Sequence, residues 1–170
     1  SAGLGVLTLI LVLYILGLRR IVRPDQVHVV QRNNTSEVYG SSAKDNKGNT
    51  YYEFPEWIPR LGVTVKKLST SIFDLDLPNY DAYDKDRLPF KVDVKTFFRI
   101  KDFNVASVRV ASMKELQEQL DGIVQGSVRS LLAKEDLESI MSERNKYGEQ
   151  FTTEVAPQLE QWGVETVKNI

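Results

Sequence analysis

The chain has 170 residues, of which 42% are hydrophobic and 26% are charged, and its formal net charge is -1. This composition suits one or two small domains with an adequate core. The balance of charges argues against a nucleic-acid-binding protein, which needs a basic face. Cysteine is absent from the sequence, which excludes disulfides and thiolate chemistry.

The first segment, residues 2–18, contains no charged side chain. As a helix it would span roughly 25 Å at 1.5 Å per residue, close to the roughly 30 Å of the hydrocarbon core. Arg19, Arg20 and Arg23 follow the apolar run, whereas a cleavable signal peptide carries its positive charge before it. The pattern predicts a retained transmembrane anchor over residues 1–23, and the alternatives are a buried core helix or a hydrophobic leader. The apolar residues of this anchor are Leu4, Val6, Leu7, Leu9, Ile10, Leu11, Val12, Leu13, Tyr14, Ile15, Leu16 and Leu18.

The three arginines also predict an orientation. Positive residues that flank a membrane helix stay on the cytoplasmic side. We therefore expect a single-pass protein of the cell membrane, inner or plasma, whose folded part is cytoplasmic.

The next part of the chain is rich in β-forming residues. Residues 27–34, "VHVVQRNN", predict a strand that runs into a turn, and residues 37–40 predict its return. Residues 41–50 are polar and predict an exposed loop. Residues 62–77 predict one long or broken strand, and residues 77–89 predict loop and turn.

A clear alternation marks the strand that follows. In residues 90–101, apolar groups occupy every second position, and charged groups occupy most of the positions between them. This pattern predicts a half-buried antiparallel strand. The predicted inward face consists of Phe90, Val92, Val94, Thr96, Phe98 and Ile100.

The hydrophobic period then becomes helical. Residues 112–132 and 142–162 predict two helices with apolar stripes, and Pro157 should kink or shorten the second helix. Gly163 predicts a turn into a final strand. The order of strands and helices predicts an α+β fold.

Few residues could carry out catalysis or bind a metal. The single histidine, His28, lies in a valine-rich strand, and the sequence contains no nucleophile elbow, P-loop or dinucleotide motif. The acidic stretch lacks the central glycine and closing glutamate of an EF-hand, which favours a solvated turn. We therefore expect no enzyme activity, no cofactor and no metal. The acidic residues concerned are Asp74, Asp76, Asp81, Asp84 and Asp86.

Four stretches together resemble one family. They are "IVRPDQVHVVQRNN", "YYEFPEWIPRLGVTVKKL", "YDAYDKDRLPFKVDVKTFFRIKD" and the run from "LLAKEDLESI" to the end of the chain. Their order resembles the SPFH domain of stomatins, prohibitins, flotillins and the bacterial HflK/HflC type, over about residues 22–170. The "VHVVQ" start and the wide loop favour a flotillin-like bacterial member.

The resemblance implies an architecture and an assembly. It implies two lobes, a β-rich SPFH1 at residues 24–77 and an α+β SPFH2 at residues 78–170. It also implies a coiled coil beyond Ile170 and a large ring or dome of many copies on a membrane.

The resemblance also gives the aromatic stretch at residues 51–62 a role. Four aromatic rings and two prolines there fit neither a regular strand nor a helix. In the family, loops at the membrane-proximal end of SPFH1 dip into the lipid leaflet, which suggests the same role for this stretch. The alternative is that the aromatic rings cover the core or a neighbouring subunit. The predicted contact residues are Tyr51, Tyr52, Phe54, Trp57, Ile58 and Arg60.

The charged faces of the two predicted helices suggest a second surface. Head-to-tail contacts between identical copies close rings, and mixed charges could pair across such contacts, although a solvated face is the ordinary alternative. The candidate interface residues are Glu115, Glu118, Arg129, Lys134, Glu135, Glu143 and Arg144.

Three hypotheses for function follow. The first is a non-enzymatic membrane scaffold that encloses a membrane microdomain and organises or sequesters membrane proteins. Its partners would be the lipid bilayer, further copies or a closely related SPFH paralogue, and membrane-protein clients, with no nucleic acid. The second is a regulatory partner of a membrane-bound ATP-dependent protease, and the third is an anchored protein whose enzymatic part lies beyond residue 170.

Overall fold

A computed structural model of the chain describes residues 2–167 and has an α+β fold. Helices and strands are segregated along the chain, with most strands first and most helices later. The elements are α1 (Ala2–Gly17), β1 (Arg19–Ile21), β2 (Gln26–Arg32), β3 (Thr35–Tyr39), β4 (Thr50–Tyr52), β5 (Thr64–Ser69), β6 (Phe73–Tyr83), β7 (Pro89–Ile100), α2 (Phe103–Arg109), α3 (Met113–Leu132), α4 (Leu137–Ser142), α5 (Arg144–Glu160) and β8 (Val164–Thr166).

The predicted transmembrane helix is wrong. Helix α1 contains 16 residues, or about 24 Å at 1.5 Å per residue, which is shorter than the roughly 30 Å hydrocarbon core. Within residues 2–167, no helix combines the length and the apolar character needed to cross a membrane. The fold class therefore lacks the anchor that was predicted over residues 1–23 and its apolar run from Leu4 to Leu18.

Pairing of the residues after α1 explains the difference. The helix ends at Gly17, and Arg19, Arg20 and Ile21 form β1, which pairs antiparallel with β4. The backbone N–H of Glu53 also donates to the Leu18 carbonyl at 2.9 Å. The residues that were expected to complete or flank the anchor therefore lie in a sheet. The predicted cytoplasmic orientation loses its basis, because it assumed that the arginines flank a membrane helix.

The chain divides into two compact units, Ser1–Thr70 and Ser71–Ile170. The lobe boundary expected from the resemblance, between residues 77 and 78, lies within β6. The limits of the two lobes stay a prediction.

The first unit contains an antiparallel sheet in the order β3-β2-β5 and the two-stranded ribbon β1-β4. Asn33 has φ 52°, the left-handed conformation that a tight hairpin turn favours, and it connects β2 to β3. The hairpin predicted over residues 27–40 is confirmed. Val22, Val30, Tyr51 and Val63 form a buried cluster of this unit.

The second unit contains an antiparallel sheet in the order β6-β7-β8. In β7 the apolar positions are buried or half-buried and the charged positions are exposed, which confirms the predicted alternation. Lys91 and Lys95 lie on the outward face and pair with Asp81 and Asp74 of β6 at 3.9 and 3.1 Å.

The loop predicted over residues 77–89 is largely a strand. Strand β6 continues to Tyr83, paired with Pro89 of β7, and its register shifts between Leu77 and Tyr80. Pro78 lies at this irregularity on an edge strand, where its missing N–H is tolerated. The sequence predicted loop and turn from residue 77, whereas pairing with β7 continues the strand to Tyr83.

Helices α3 and α5 confirm the two predicted apolar stripes. Leu116, Leu120 and Val124 of α3 are fully buried, as are Val155 and Leu159 of α5. The Ser112 hydroxyl caps α3 by accepting from the Glu115 N–H at 3.3 Å. Helix α5 continues past Pro157 to Glu160, so the proline does not end the helix, and the alternative of a kink stays a prediction.

Gly163 makes the turn from α5 into β8. Its φ is 68°, and a Cβ there would collide with the Asp102 carbonyl oxygen. Both the conformation and the space therefore require glycine.

We expect Gly163→Ala to lower the free energy of unfolding by about 1–3 kcal/mol, because the backbone conformation becomes strained. Gly122→Ala is the matched control, since a Cβ at that helical position meets nothing within 4 Å. It should raise stability by up to about 1 kcal/mol. Urea unfolding measures the stability of both variants. Equal changes in the free energy of unfolding would contradict the requirement for glycine at position 163.

Candidate functional site

The aromatic stretch forms a compact loop at residues 53–63, between β4 and β5. Its ends are closed by a hydrogen bond from the Val63 N–H to the Phe54 carbonyl at 3.1 Å. Within it, the Ile58 N–H donates to the Pro55 carbonyl at 3.1 Å, and the Gly62 N–H donates to the Ile58 carbonyl at 2.9 Å. Successive turns thus fix an irregular segment, as the two prolines predicted.

Two residues set the shape of this loop. Arg60 has φ 64°, and a Cβ on Gly62 would approach the Glu56 carbonyl oxygen to 2.6 Å. The Glu56 carboxylate also accepts a hydrogen bond from the Thr64 hydroxyl at 2.9 Å. The loop therefore presents its side chains from a defined backbone.

The tip of the loop exposes large apolar side chains. Trp57 is 79% exposed and Leu61 is 46% exposed, while Phe54 and Ile58 are half-buried. Tyr52, at the end of β4, is exposed, and its ring lies 6.4 Å from that of Phe54. Leu61 was not among the lipid-contact residues predicted from the sequence. Its position beside Arg60, in the same turn-rich stretch, could have indicated that it is exposed.

Tyr51 lies in the core and is only 6% exposed. Its hydroxyl lies 2.8 Å from Nδ1 of the buried His28, and its ring packs 5.2 Å from the ring of Tyr39. The contact role predicted for Tyr51 is therefore replaced by a packing role. Its burial fits the alternative in which aromatic rings cover the core.

The polar pair in this core stays uncharged near neutral pH. Burial, with Glu53 adding to it, raises the pKa of Tyr51 to about 12, so its hydroxyl remains a donor. Burial also lowers the pKa of His28, assisted by the charge of Lys67 and opposed by that of Glu53. His28 Nε2 lies 3.4 Å from the Gln26 side-chain oxygen, which only accepts, so Nδ1 accepts from Tyr51.

Helix α1 has no buried residue. Its apolar side chains are exposed on every face, and the Thr8 hydroxyl donates to the Gly5 carbonyl at 2.8 Å. Of the arginines that follow, Arg20 pairs with Glu53 at 2.7 Å across the ribbon, and Arg19 and Arg23 are exposed. The first unit thus carries two apolar surfaces, α1 and the loop at residues 53–63.

Most candidate interface residues of the second unit already have local partners. Glu118 pairs with Lys114 and Glu143 pairs with Lys146, at 3.9 and 2.7 Å. Arg129 and Arg144 are exposed and have no ion pair within residues 2–167. The remaining contacts are Lys134 with Glu154 at 3.9 Å, Glu115 Oε2 accepting from the Ala111 N–H at 2.9 Å, and the Glu135 carbonyl accepting from the Lys85 N–H at 3.1 Å.

The acidic stretch is structural. Asp84 is buried, and its carboxylate accepts from the backbone N–H groups of Asp86 and Leu88 at 2.9 and 2.8 Å. The aspartates of β6, Asp74, Asp76 and Asp81, are exposed. In the part of the chain that the structure describes, no group of three or more acidic or histidine side chains could hold a metal ion.

Residues 20–169 match the SPFH domain / Band 7 family. The chain belongs to this family. The match extends over both units, and it agrees with the resemblance found in the sequence. The preference for a flotillin-like member is not confirmed.

One relative is Mechanosensory protein 2 of Caenorhabditis elegans. It is 24% identical to this chain over 101 residues, which cover 59% of this chain and 20% of the relative. The chain thus spans about a fifth of the length of this curated relative.

SPFH domains are typical of membrane-associated scaffold or regulatory proteins, and such proteins are generally not enzymes. The candidate functional sites are therefore the surfaces that could meet lipid or other copies. The first unit of this SPFH domain supplies the apolar surfaces, and the second supplies the charged helices.

The buried His28 predicts how stability depends on pH. Because its pKa is lowered in the folded state, the unfolded chain binds more protons just below the ordinary value of 6.5. The free energy of unfolding should therefore fall as pH drops from about 7 through 6.5 towards the lowered pKa. His28→Gln should be less stable at pH 7 and should lose most of this dependence. Urea unfolding of the wild-type chain and of His28→Gln at pH 7.5 and 5.5 measures how the free energy of unfolding of each depends on pH. An equal dependence in the two proteins would contradict the lowered pKa of His28.

Proposed function

We propose that this SPFH protein is a non-enzymatic, membrane-associated scaffold that assembles into a ring or cage around a membrane microdomain. The observation that carries this proposal is the exposed apolar surface of the first unit. Helix α1 and the loop at residues 53–63 expose large apolar groups that a water-facing surface does not need. A contact with lipid would bury them.

The loop has the composition of a shallow lipid contact. Tyr and Trp favour the headgroup level, where a ring sits in apolar surroundings while its polar tip stays wet. Trp57 and Leu61 would enter the leaflet, and the exposed Arg60 would meet lipid phosphates. The exposed carboxylate of Glu56 in the same loop favours shallow insertion.

Helix α1 would form the second point of contact. It is apolar on nearly all faces, and its Thr8 hydroxyl is satisfied within the helix, so contact with lipid would bury mostly apolar surface. Two lipid contacts per copy, repeated over many copies, would make detachment very slow.

Assembly would use the helices of the second unit. Arg129 and Arg144 are exposed without an ion pair among the described residues, and acidic side chains line the same helices. Such a surface could pair with the complementary surface of an identical neighbour or a related SPFH chain, and head-to-tail contacts of this kind close rings. The enclosed patch would then restrict access of client membrane proteins.

Fluorescence tests the loop contact, because the chain contains two tryptophans, Trp57 and Trp162. The Trp162→Phe variant leaves Trp57 as the reporter, and its emission should shift to shorter wavelength when phosphatidylcholine and phosphatidylglycerol vesicles are added. The matched Trp57→Phe variant leaves Trp162, whose ring lies 5.8 Å from the Arg109 guanidinium in the second unit, and should show no shift.

Vesicle flotation measures how strongly each variant binds to lipid. Trp57→Ala should weaken binding about five- to thirtyfold, because it removes a large interfacial ring worth roughly 1–2 kcal/mol. Trp162→Phe should leave vesicle binding unchanged, since it also replaces a tryptophan ring but lies in the second unit and leaves the loop at residues 53–63 intact. An unshifted Trp57 in vesicle-bound protein would contradict the loop contact.

A further inference from the structure

Charge is divided unevenly between the two units. Residues 1–70 contain nine lysines and arginines but only five aspartates and glutamates, a net charge of +4. Residues 71–170 contain 13 basic and 18 acidic side chains, a net charge of -5. Such an asymmetry between two parts of a chain points to a charged partner. The basic unit is also the one that exposes α1 and the loop at residues 53–63.

Two arginines lie where these apolar surfaces meet. Arg19 and Arg20 begin β1, and Arg19 stands opposite Tyr52 in the ribbon. The Glu53 N–H donates to the Leu18 carbonyl at 2.9 Å, so the end of α1 and the start of the loop are adjacent. Arg20 pairs with Glu53 at 2.7 Å, whereas Arg19 is exposed and has no ion pair in the described part of the chain. An unpaired positive charge is therefore fixed at the junction of the two apolar surfaces.

Two further arginines border the loop. Arg60 lies within it, and Arg32 follows the last pair between β2 and β5, which joins Gln31 to Thr64. Since the loop ends one residue before Thr64, Arg32 lies beside its end. Both arginines are exposed, and neither has an ion pair within residues 2–167. Guanidinium groups in such positions are available to phosphate oxygens.

The backbone of Arg60 is unusual for its residue type. Its φ is 64°, a left-handed conformation that glycine and asparagine adopt more readily than arginine. Strain of this kind is often found at functional sites. Because a glycine or an asparagine would fit this backbone at lower cost, the arginine favours a role for its side chain.

The acidic residues of the loop do not cancel these charges. Against Glu53 and Glu56 stand four arginines, which leaves an excess of two positive charges in this region. A zwitterionic bilayer has no net charge to attract this excess, whereas an anionic bilayer attracts it. The same anionic surface would repel the acidic second unit, which favours contact through the first unit.

We propose that the first unit selects an anionic lipid surface, whose charged headgroups pair with Arg19, Arg32 and Arg60 around the inserted Trp57. This inference rests on the lipid contact of the proposed function and adds the class of lipid that the contact requires. Apolar burial supplies affinity for any bilayer, and the arginines supply the preference. The acidic second unit of another copy is the competing partner. The exposed ring of Trp57 favours lipid, because the partner must take up this ring as well as the charges.

Flotation of the full chain with two kinds of vesicle tests this preference. One kind is phosphatidylcholine alone, and the other contains phosphatidylcholine and phosphatidylglycerol in equal parts. In about 0.1 M NaCl we expect at least about tenfold tighter binding to the anionic vesicles, because several arginines contribute. In about 1 M NaCl the screening length falls from about 10 Å to about 3 Å, and the preference should fall below about threefold.

Substitutions at residue 60 separate charge from shape. Arg60→Asn removes the charge and suits the left-handed backbone, so it should keep the stability of the wild-type chain and weaken binding to anionic vesicles about fivefold. Arg60→Lys keeps the charge and should retain most of the binding. Lys44→Gln is the matched control, since it removes an exposed charge from the same unit but lies in the loop that precedes β4 rather than the one that follows it. It should change binding less than about twofold.

Four results would overturn the proposal. Equal binding to both kinds of vesicle at low salt would refute it and leave the lipid contact of the proposed function intact, whereas binding to neither kind would refute both. Equal losses with Lys44→Gln and Arg60→Asn would mean that total charge decides, rather than the arginines beside the loop. If Arg60→Asn disrupts assembly in detergent, measured by mass photometry, and leaves flotation unchanged, the arginine binds another copy instead of lipid.

Discussion

The contact between Tyr51 and His28 holds the candidate membrane surface of the first unit in place. It joins β4 to the central strand of the β3-β2-β5 sheet through a hydrogen bond of 2.8 Å and an edge-on ring contact. The next residue, Tyr52, is exposed, and the loop at residues 53–63 starts directly after it. A buried aromatic group thus positions the exposed ones, and both ring systems belong to one short stretch of sequence. The pair stays neutral near pH 7, because burial opposes both the tyrosinate and the imidazolium.

Strand β7 has the equivalent role in the second unit. Its alternation places Lys91 and Lys95 on one face, where β6 supplies aspartates, and Val92, Val94 and Thr96 on the other, where the helices pack. One face of the sheet is therefore charged and solvated, and the other is apolar. Thr96 occupies an inward position that most strands fill with an apolar residue. Its Oγ1 is buried and has no hydrogen-bond partner within residues 2–167.

Periodic patterns identified the elements whose surroundings are simple. Strands β2 and β7 and the stripes of α3 and α5 follow from periods of two and about 3.6, because one face of each is buried. The sequence could not reveal that α1 stops at Gly17, since this depends on pairing of Arg19–Ile21 with β4, some 30 residues away. The burial of Tyr51 likewise depends on His28, and the continuation of β6 past Pro78 depends on β7. Helix α2 was missed, although Asp102 is a clear N-cap that accepts from Asn104 and Val105.

Single-particle imaging of the full-length protein, extracted gently in digitonin and sized by mass photometry, tests the scaffold account most directly. The account predicts closed rings or domes of many copies, with Trp57 and helix α1 in the detergent layer and the α3–α5 helices between neighbouring copies. A monodisperse monomer or dimer would contradict it, because confinement of a membrane patch needs a closed assembly. Rings in which Trp57 packs against a neighbouring copy would retain the scaffold and contradict the loop's lipid contact.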